Sequence, residues 1–199
     1  MKKNIKILAI LLVIIIIPVA YYGITTAMNN MEQENFYNTI KNVSDNENIT
    51  DKPISQYIED DKLNTTRLIE LEVENSKTLN TSIATLKELN KSLRNETLKE
   101  YVNIEIIRME NEVESSDALI KFAQKARDYY DGKLGANEML SYLDNHKKQT
   151  DKIDTRVDDA KTDAMEFLTA HPDIKEKFDE LKIDEDFMIL EFGPKSKKN

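Results

Sequence analysis

Cysteine and tryptophan are missing from this chain of 199 residues, and glycine and proline occur only four times each. Without cysteine there is no disulfide framework, no thiolate zinc site and no thiol to carry the acyl chain of a bacterial lipoprotein. So little glycine excludes collagen-like segments and most of the glycine-rich turns that let a backbone approach phosphate. Basic charge is also short, with 28 Lys and Arg against 37 Asp and Glu. Setting aside Lys2, Lys3 and Lys6, residues 32–199 carry a net charge of −12. Nucleic acid is therefore not an expected partner, since binding it requires Lys and Arg to replace counterions along the phosphates.

One long apolar run stands at the start. Ile7 to Ile24 contains no charged residue, and as a helix it would rise ~27 Å, close to the thickness of a bilayer's hydrocarbon core. Pro18 is tolerable there, and Tyr21 and Tyr22 fall where aromatic rings favour the membrane interface. The three lysines before the run predict a cytoplasmic N-terminus and a single-pass protein of the cell membrane, with residues 32–199 outside. A cleaved signal peptide is the rival, with Thr25-Thr26-Ala27 as a small-x-small site and a secreted domain as the product, but the run is longer than an ordinary signal core.

Beyond the anchor the pattern is helical. From Pro53 to Gly132 no Gly or Pro intervenes. Leu79, Ile83, Leu86, Asn90 and Leu93 recur at helical spacing, as do Leu98, Val102, Ile106, Met109 and Val113. A third stripe runs through Ala136, Leu140, Leu143, His146, Thr150, Ile153, Val157, Ala160, Ala164 and Phe167. A turn is expected near Asn95, where the first stripe loses phase and Thr97 with Glu100 has capping-box spacing. A second is expected at Asp131-Gly132-Lys133-Leu134-Gly135, where glycine can take positive φ at a helix end.

These features predict an all-α protein: a single N-terminal transmembrane helix followed by an extracytoplasmic antiparallel three- to four-helix bundle or coiled coil. The expected parts are a signal-anchor over 1–31, a membrane-proximal helix and polar linker over 32–53, and a bundle over 54–171. Its helices are expected near 54–94, 97–131 and 136–171. A short helix, an apolar segment and a basic tail would occupy 172–199. Within 32–53 the stretch Ser44–Pro53 reads as a turn-rich linker. His171-Pro172-Asp173 marks the break into the short helix, Pro being at ease in a first turn. The apolar segment, Phe187-Met188-Ile189-Leu190-Glu191-Phe192, must bury against the bundle, pair as a strand or meet a partner.

Reactive constellations are not apparent. His146 sits on the third stripe, where a lone polar residue more often sets register than binds metal, and His171 is expected to cap or face solvent. Neither has a Glu three residues earlier, as bundle di-iron sites require. Motifs for zinc proteolysis, serine hydrolysis and phosphate binding are absent. Arg127 to Glu138 resembles a calcium loop only loosely, because Arg127 and Tyr129 stand where oxygen ligands belong. The acidic groups Glu110, Glu112 and Glu114, and Asp154, Asp158, Asp159 and Asp163, read as solvated helix faces. Six N-x-S/T sequons, at Asn42, Asn48, Asn64, Asn80, Asn90 and Asn95, leave glycosylation open, although Asn90 lies within a stripe expected to be packed. The basic tail of Lys195, Lys197 and Lys198 is a weak candidate for anionic headgroups or wall polymers.

No catalytic residue, cofactor or metal ligand is assigned. The expected function is protein interaction or structural spacing at the cell surface or envelope. The membrane is engaged through the N-terminal helix, and a protein partner or a second copy through the helix faces. Two alternatives stand beside it: a bundle that binds a small ligand or metal around Asn90, His146 and Thr150, and a hydrolase built from acidic side chains that converge from distant positions.

Overall fold

A computed structural model describes residues 26–47, 58–59 and 62–183. The apolar run Ile7–Ile24, the segment Phe187–Phe192 and the basic tail lie outside the described residues. Among the described residues no helix is long and apolar enough to cross a membrane.

The described chain is almost entirely helical. Helix α1 covers 26–47, and a two-residue antiparallel pair follows, β1 (Ile58–Glu59) with β2 (Lys62–Leu63). Then come α2 (Thr65–Ser92), α3 (Glu96–Tyr130), α4 (Ala136–Ala170) and α5 (Pro172–Leu181). By its internal contacts the chain divides between Asn38 and Thr39. In the first unit, residues 26–38 are helical and the rings of Phe36 and Tyr37 meet edge to face at 5.1 Å. The second unit, whose described residues lie within 39–183, holds the remaining elements.

At the centre of this unit lies α3, with α2 and α4 packed against it as antiparallel neighbours joined by short turns. From α2 it receives Leu79, Ile83, Leu86 and Leu89 among the buried residues, and its own buried stripe includes Leu98, Val102, Ile106 and Met109. Both helical stripes are therefore present, with one change of detail. Leu89, not Asn90, completes the α2 seam, and Asn90 lies at its margin, where its Nδ2 donates to Asn103 Oδ1 at 2.7 Å.

Three local features differ from the sequence-based expectation, each for a physical reason. The first bundle helix begins at Thr65 rather than near 54, because Ile58 pairs with Leu63 and Glu59 with Lys62. Leu63 and Leu68 then pack together with Ala123 of α3, anchoring this entrance. Second, the cap of α3 is Asn95, not Thr97: Asn95 Oδ1 accepts from Thr97 N at 2.9 Å and from Leu98 N at 3.3 Å. Third, Ser44 to Glu47, expected in the linker, are helical. Ile40, Val43, Ser44 and Glu47 repeat at i, i+3, i+4 and i+7, which sets all four on one face. Ile40, Val43 and Ser44 are buried.

The third stripe departs most from its sequence pattern. In α4, Ile153, Ala160, Ala164, Phe167 and Leu168 are buried, but toward the start of the helix only Met139 is. Leu140 is 61% exposed and Leu143 37% exposed. At the other end, Tyr101 of α3 meets Phe167 of α4 at 5.4 Å and Phe178 of α5 at 5.2 Å between ring centroids, the second edge to face. Ile174, Phe178 and Ile183 close this aromatic end. There α5 stops with Lys182 in the left-handed region (φ 54°) and Ile183 N donating to Phe178 O at 3.0 Å.

If Asn95 covers the free N–H groups of α3, Asn95→Ala should lower unfolding free energy by about 1 kcal/mol in urea titrations. Thr97→Ala should cost no more than about 0.5 kcal/mol. Equal losses for the two would return the cap to Thr97.

Candidate functional site

Two places in the second unit stand out chemically, one buried and one exposed. The buried one surrounds Arg108, which is 1% exposed on α3. Its Nε donates to Glu105 Oε2 at 2.9 Å, its Nη1 to Glu112 Oε1 at 2.7 Å and its Nη2 to Glu47 Oε2 at 2.8 Å. Glu105 and Glu112 are one helical turn to either side of Arg108, so α3 places two carboxylates on its guanidinium without help. Glu47 comes from α1, 61 residues earlier, and completes the set.

Three carboxylates around one cation leave an excess of buried negative charge. Burial pushes the Glu47 carboxyl up to about 7, against the pull of Arg108 and with the help of Glu112 and Glu105. Glu105 is raised by the same desolvation, opposed by the charge and hydrogen bond of Arg108. Burial would lower Arg108, but Glu105, Glu112 and Glu47 overrule it and hold the guanidinium well above its usual value. Tyr101, one helical turn before Glu105 on α3, belongs to the aromatic end with Phe167 and Phe178.

The exposed place is the tip of the α3–α4 hairpin. Its turn is closed by Gly132 (φ 71°), with Gly132 N donating to Tyr129 O at 3.1 Å and Lys133 N to Asp128 O at 2.9 Å. Around it Phe122, Tyr130, Met139, Leu140 and Leu143, with Leu63 of β2, line an open groove of about 390 Å³. Tyr129 and Tyr130 are 42% and 50% exposed. His146 stands beside this groove, stacked on Phe122 at 5.2 Å and on Tyr142 at 5.6 Å. Partial burial lowers its pKa, so the ring stays neutral and behaves as one more aromatic surface.

The remaining sequence candidates are scattered. His146 and Thr150 lie half-buried on α4, where Thr150 Oγ1 donates to its own helix backbone, while Asn90 lies near the opposite end of the α2–α3 pair. Those three polar residues do not converge. His171 ends α4, its Nδ1–H donating to Phe167 O at 2.9 Å and its ring stacked on Phe167 at 4.3 Å. In the loosely calcium-like loop, Lys133 donates to Asp131 Oδ2 at 2.8 Å and Glu138 Oε2 accepts from Gly135 N at 2.9 Å. Both carboxylates are thus engaged in closing the turn and capping α4. Glu110 and Glu114 pair across helices with Lys87 and Arg156. Among the described residues no group of three or more His, Cys, Asp or Glu is placed to hold a metal ion.

Sequence reasoning missed Arg108, Glu105 and Glu47 and passed over Phe122 and Tyr130. The available signal was positional: Tyr101, Glu105, Arg108 and Glu112 recur at 4, 3 and 4, a second stripe on α3 hidden by its charge. With its fold and its two distinctive places, the chain is a helical-bundle protein with a buried ion cluster and an apolar tip. Comparison with protein-family models, with curated proteins and with solved structures gives no match.

Removing the cation while leaving its carboxylates buried should be severe. Arg108→Ala is expected to cost about 3–5 kcal/mol of stability, as for breaking other buried ion pairs. Because Glu47 is held above its unfolded value, its protonation stabilises the fold fully below the unfolded pKa, and this contribution is lost as pH rises through about 7. Chemical denaturation at pH 5 and pH 8 should therefore show a larger acid-side advantage for the unsubstituted chain than for Glu47→Gln. An identical difference in both proteins would refute the assignment.

Proposed function

We propose that this is a non-catalytic cell-surface or envelope protein, held by one membrane anchor within residues 1–31, whose outward helical bundle serves protein interaction or structural spacing. The observation that carries the interaction reading is the apolar tip. Leu140, Leu143, Tyr129 and Tyr130 leave a contiguous apolar surface exposed on a well-braced helical hairpin, and such surfaces on otherwise charged proteins mark contacts with other molecules. The charge of the remainder supports a protein partner over nucleic acid. The anchor and its orientation rest on the uncharged run Ile7–Ile24 and its three preceding lysines.

A small apolar ligand is the second reading. About 390 Å³ falls within the range of small-molecule sites, and the lining is largely aromatic and aliphatic. The openness of the groove to solvent favours a protein segment, which can cover the rim as well as fill the floor.

Two measurements test the proposal. Alkaline carbonate should leave the chain in the membrane pellet, and protease added to intact cells should digest residues 32–199. Extraction into the supernatant, or protection from protease, would defeat the anchored, outward arrangement. A photoreactive amino acid at position 140 or 143 should give a protein adduct on irradiation of intact cells, and none when placed at exposed Met165 of α4. Absence of any adduct from the tip would sink the interaction reading.

A further inference from the structure

The cluster around Arg108 holds more carboxylate than its one cation can neutralise. On α3 alone, Glu105 and Glu112 already take Nε and Nη1 of the guanidinium. Glu47 adds a third acid, and the four side chains are between 1% and 17% exposed, so an ionised set would keep a formal charge of −2 largely out of water. Glu105 Oε1 is also buried without a hydrogen-bond partner, as is the hydroxyl of Ser44, one turn before Glu47. A single proton answers both conditions, because it removes one negative charge and supplies one donor. The other charged groups nearby are engaged at the surface. On α1 Lys41 pairs with Asp45, and Lys87 of α2 and Arg156 of α4 pair with Glu110 and Glu114 of α3. The two histidines stack elsewhere, His146 on Phe122 and His171 on Phe167.

Residues 39–47 are also separable from the remainder of the unit. The α2–α3 seam and the aromatic end of Tyr101, Phe167 and Phe178 are made by other helices. What α1 buries in this unit is Ile40, Val43, Ser44 and Glu47. If that segment lifts away, Arg108 keeps both carboxylates of its own helix, so the cation is not left unpaired. Glu47 meanwhile returns to water, where a carboxyl ionises in its ordinary range. Seated on α3, the same carboxyl is pushed up to about 7 by burial. The seated and lifted arrangements therefore bind different numbers of protons, and seating takes one up.

We propose that Glu47 is a proton-operated latch: with a proton in the cluster, residues 39–47 seat on α3, and without it they lift off while α2, α3 and α4 stay folded. The latch needs neither the membrane anchor nor the apolar tip, and it differs from a general loss of stability in being confined to one segment. The seated carboxyl titrates above the free one, so seating is tightest below 4.5. It weakens roughly tenfold for each pH unit above that and reaches its floor beyond about 7.

The test is amide hydrogen exchange on the full chain in mild detergent from pH 5 to pH 8, with each rate corrected for base catalysis. Protection of residues 40–47 should fall about tenfold per pH unit up to about 7 and then level off, roughly a hundredfold in all. Amides at Ile83, Leu86, Val102 and Ile106 should keep theirs. Glu47→Gln carries an amide in place of the protonated carboxyl, so protection of its residues 40–47 should not vary with pH, whatever its level. Glu112→Gln removes a charge that raises Glu47, so the pH at which protection levels off should move down. A merely structural bond would leave that pH in place. A flat profile in the unsubstituted chain, a fall shared by the whole bundle, or a pH dependence that survives in Glu47→Gln would overturn the latch. So would an unmoved levelling point in Glu112→Gln.

Discussion

On α3 a guanidinium with almost no contact with water is held by three carboxylates, and the seat of Glu47 against α3 depends on it. Two of those carboxylates come from α3 itself and cost the fold little to bring together, since helical spacing already sets them there. Glu47 is the expensive partner. It is delivered by a separate helix into a place already rich in negative charge, and its carboxyl responds by moving up to about 7. A buried ion cluster of this kind is weak as a source of net stability but demanding in geometry, because no other arrangement satisfies the same charges. Arg108 thereby fixes which face of α3 meets Glu47. One turn before Glu105 on the same helix, Tyr101 carries the aromatic packing of Phe167 and Phe178.

From that fixed centre the packing is uneven toward the two ends. Around Tyr101 three helices supply aromatic and aliphatic side chains and close the core. Toward the hairpin turn α4 diverges in character: its apolar residues continue at the same spacing, but Leu140 and Leu143 face outward with Tyr129 and Tyr130 nearby. A hairpin this long can keep such a tip exposed because its buried contacts lie elsewhere along α3. Surface ion pairs across the helices, Lys87 with Glu110 and Arg156 with Glu114, add little on the usual scale for exposed pairs. They do, however, place opposite charges across neighbouring helices and so disfavour other registers.

Seen this way the protein divides its chemistry by place. Charge that is buried organises the fold, and apolar surface is left exposed at the hairpin tip. Reactive groups are not gathered in either. His146 is neutral and stacked among rings, and His171 closes a helix.

Sequence alone determined the helical class, the two turns near Asn95 and Gly132, the break at His171-Pro172, and the seam of Leu79, Ile83 and Leu86 with Val102, Ile106 and Met109. These follow from local rules: period, caps and the conformational freedom of glycine act within a few residues and leave their marks in order along the chain. The tertiary structure decided what depends on distant neighbours. Spacing could place Glu105 and Arg108 on one face of α3, but only the packing of α1 made that face interior and brought Glu47 to it. Spacing likewise put Leu140 and Leu143 in line with Ile153 and Phe167, and could not tell that the partner surface ends before it reaches them. Periodicity states which residues share a face; whether that face is covered is settled by where the other helices stop.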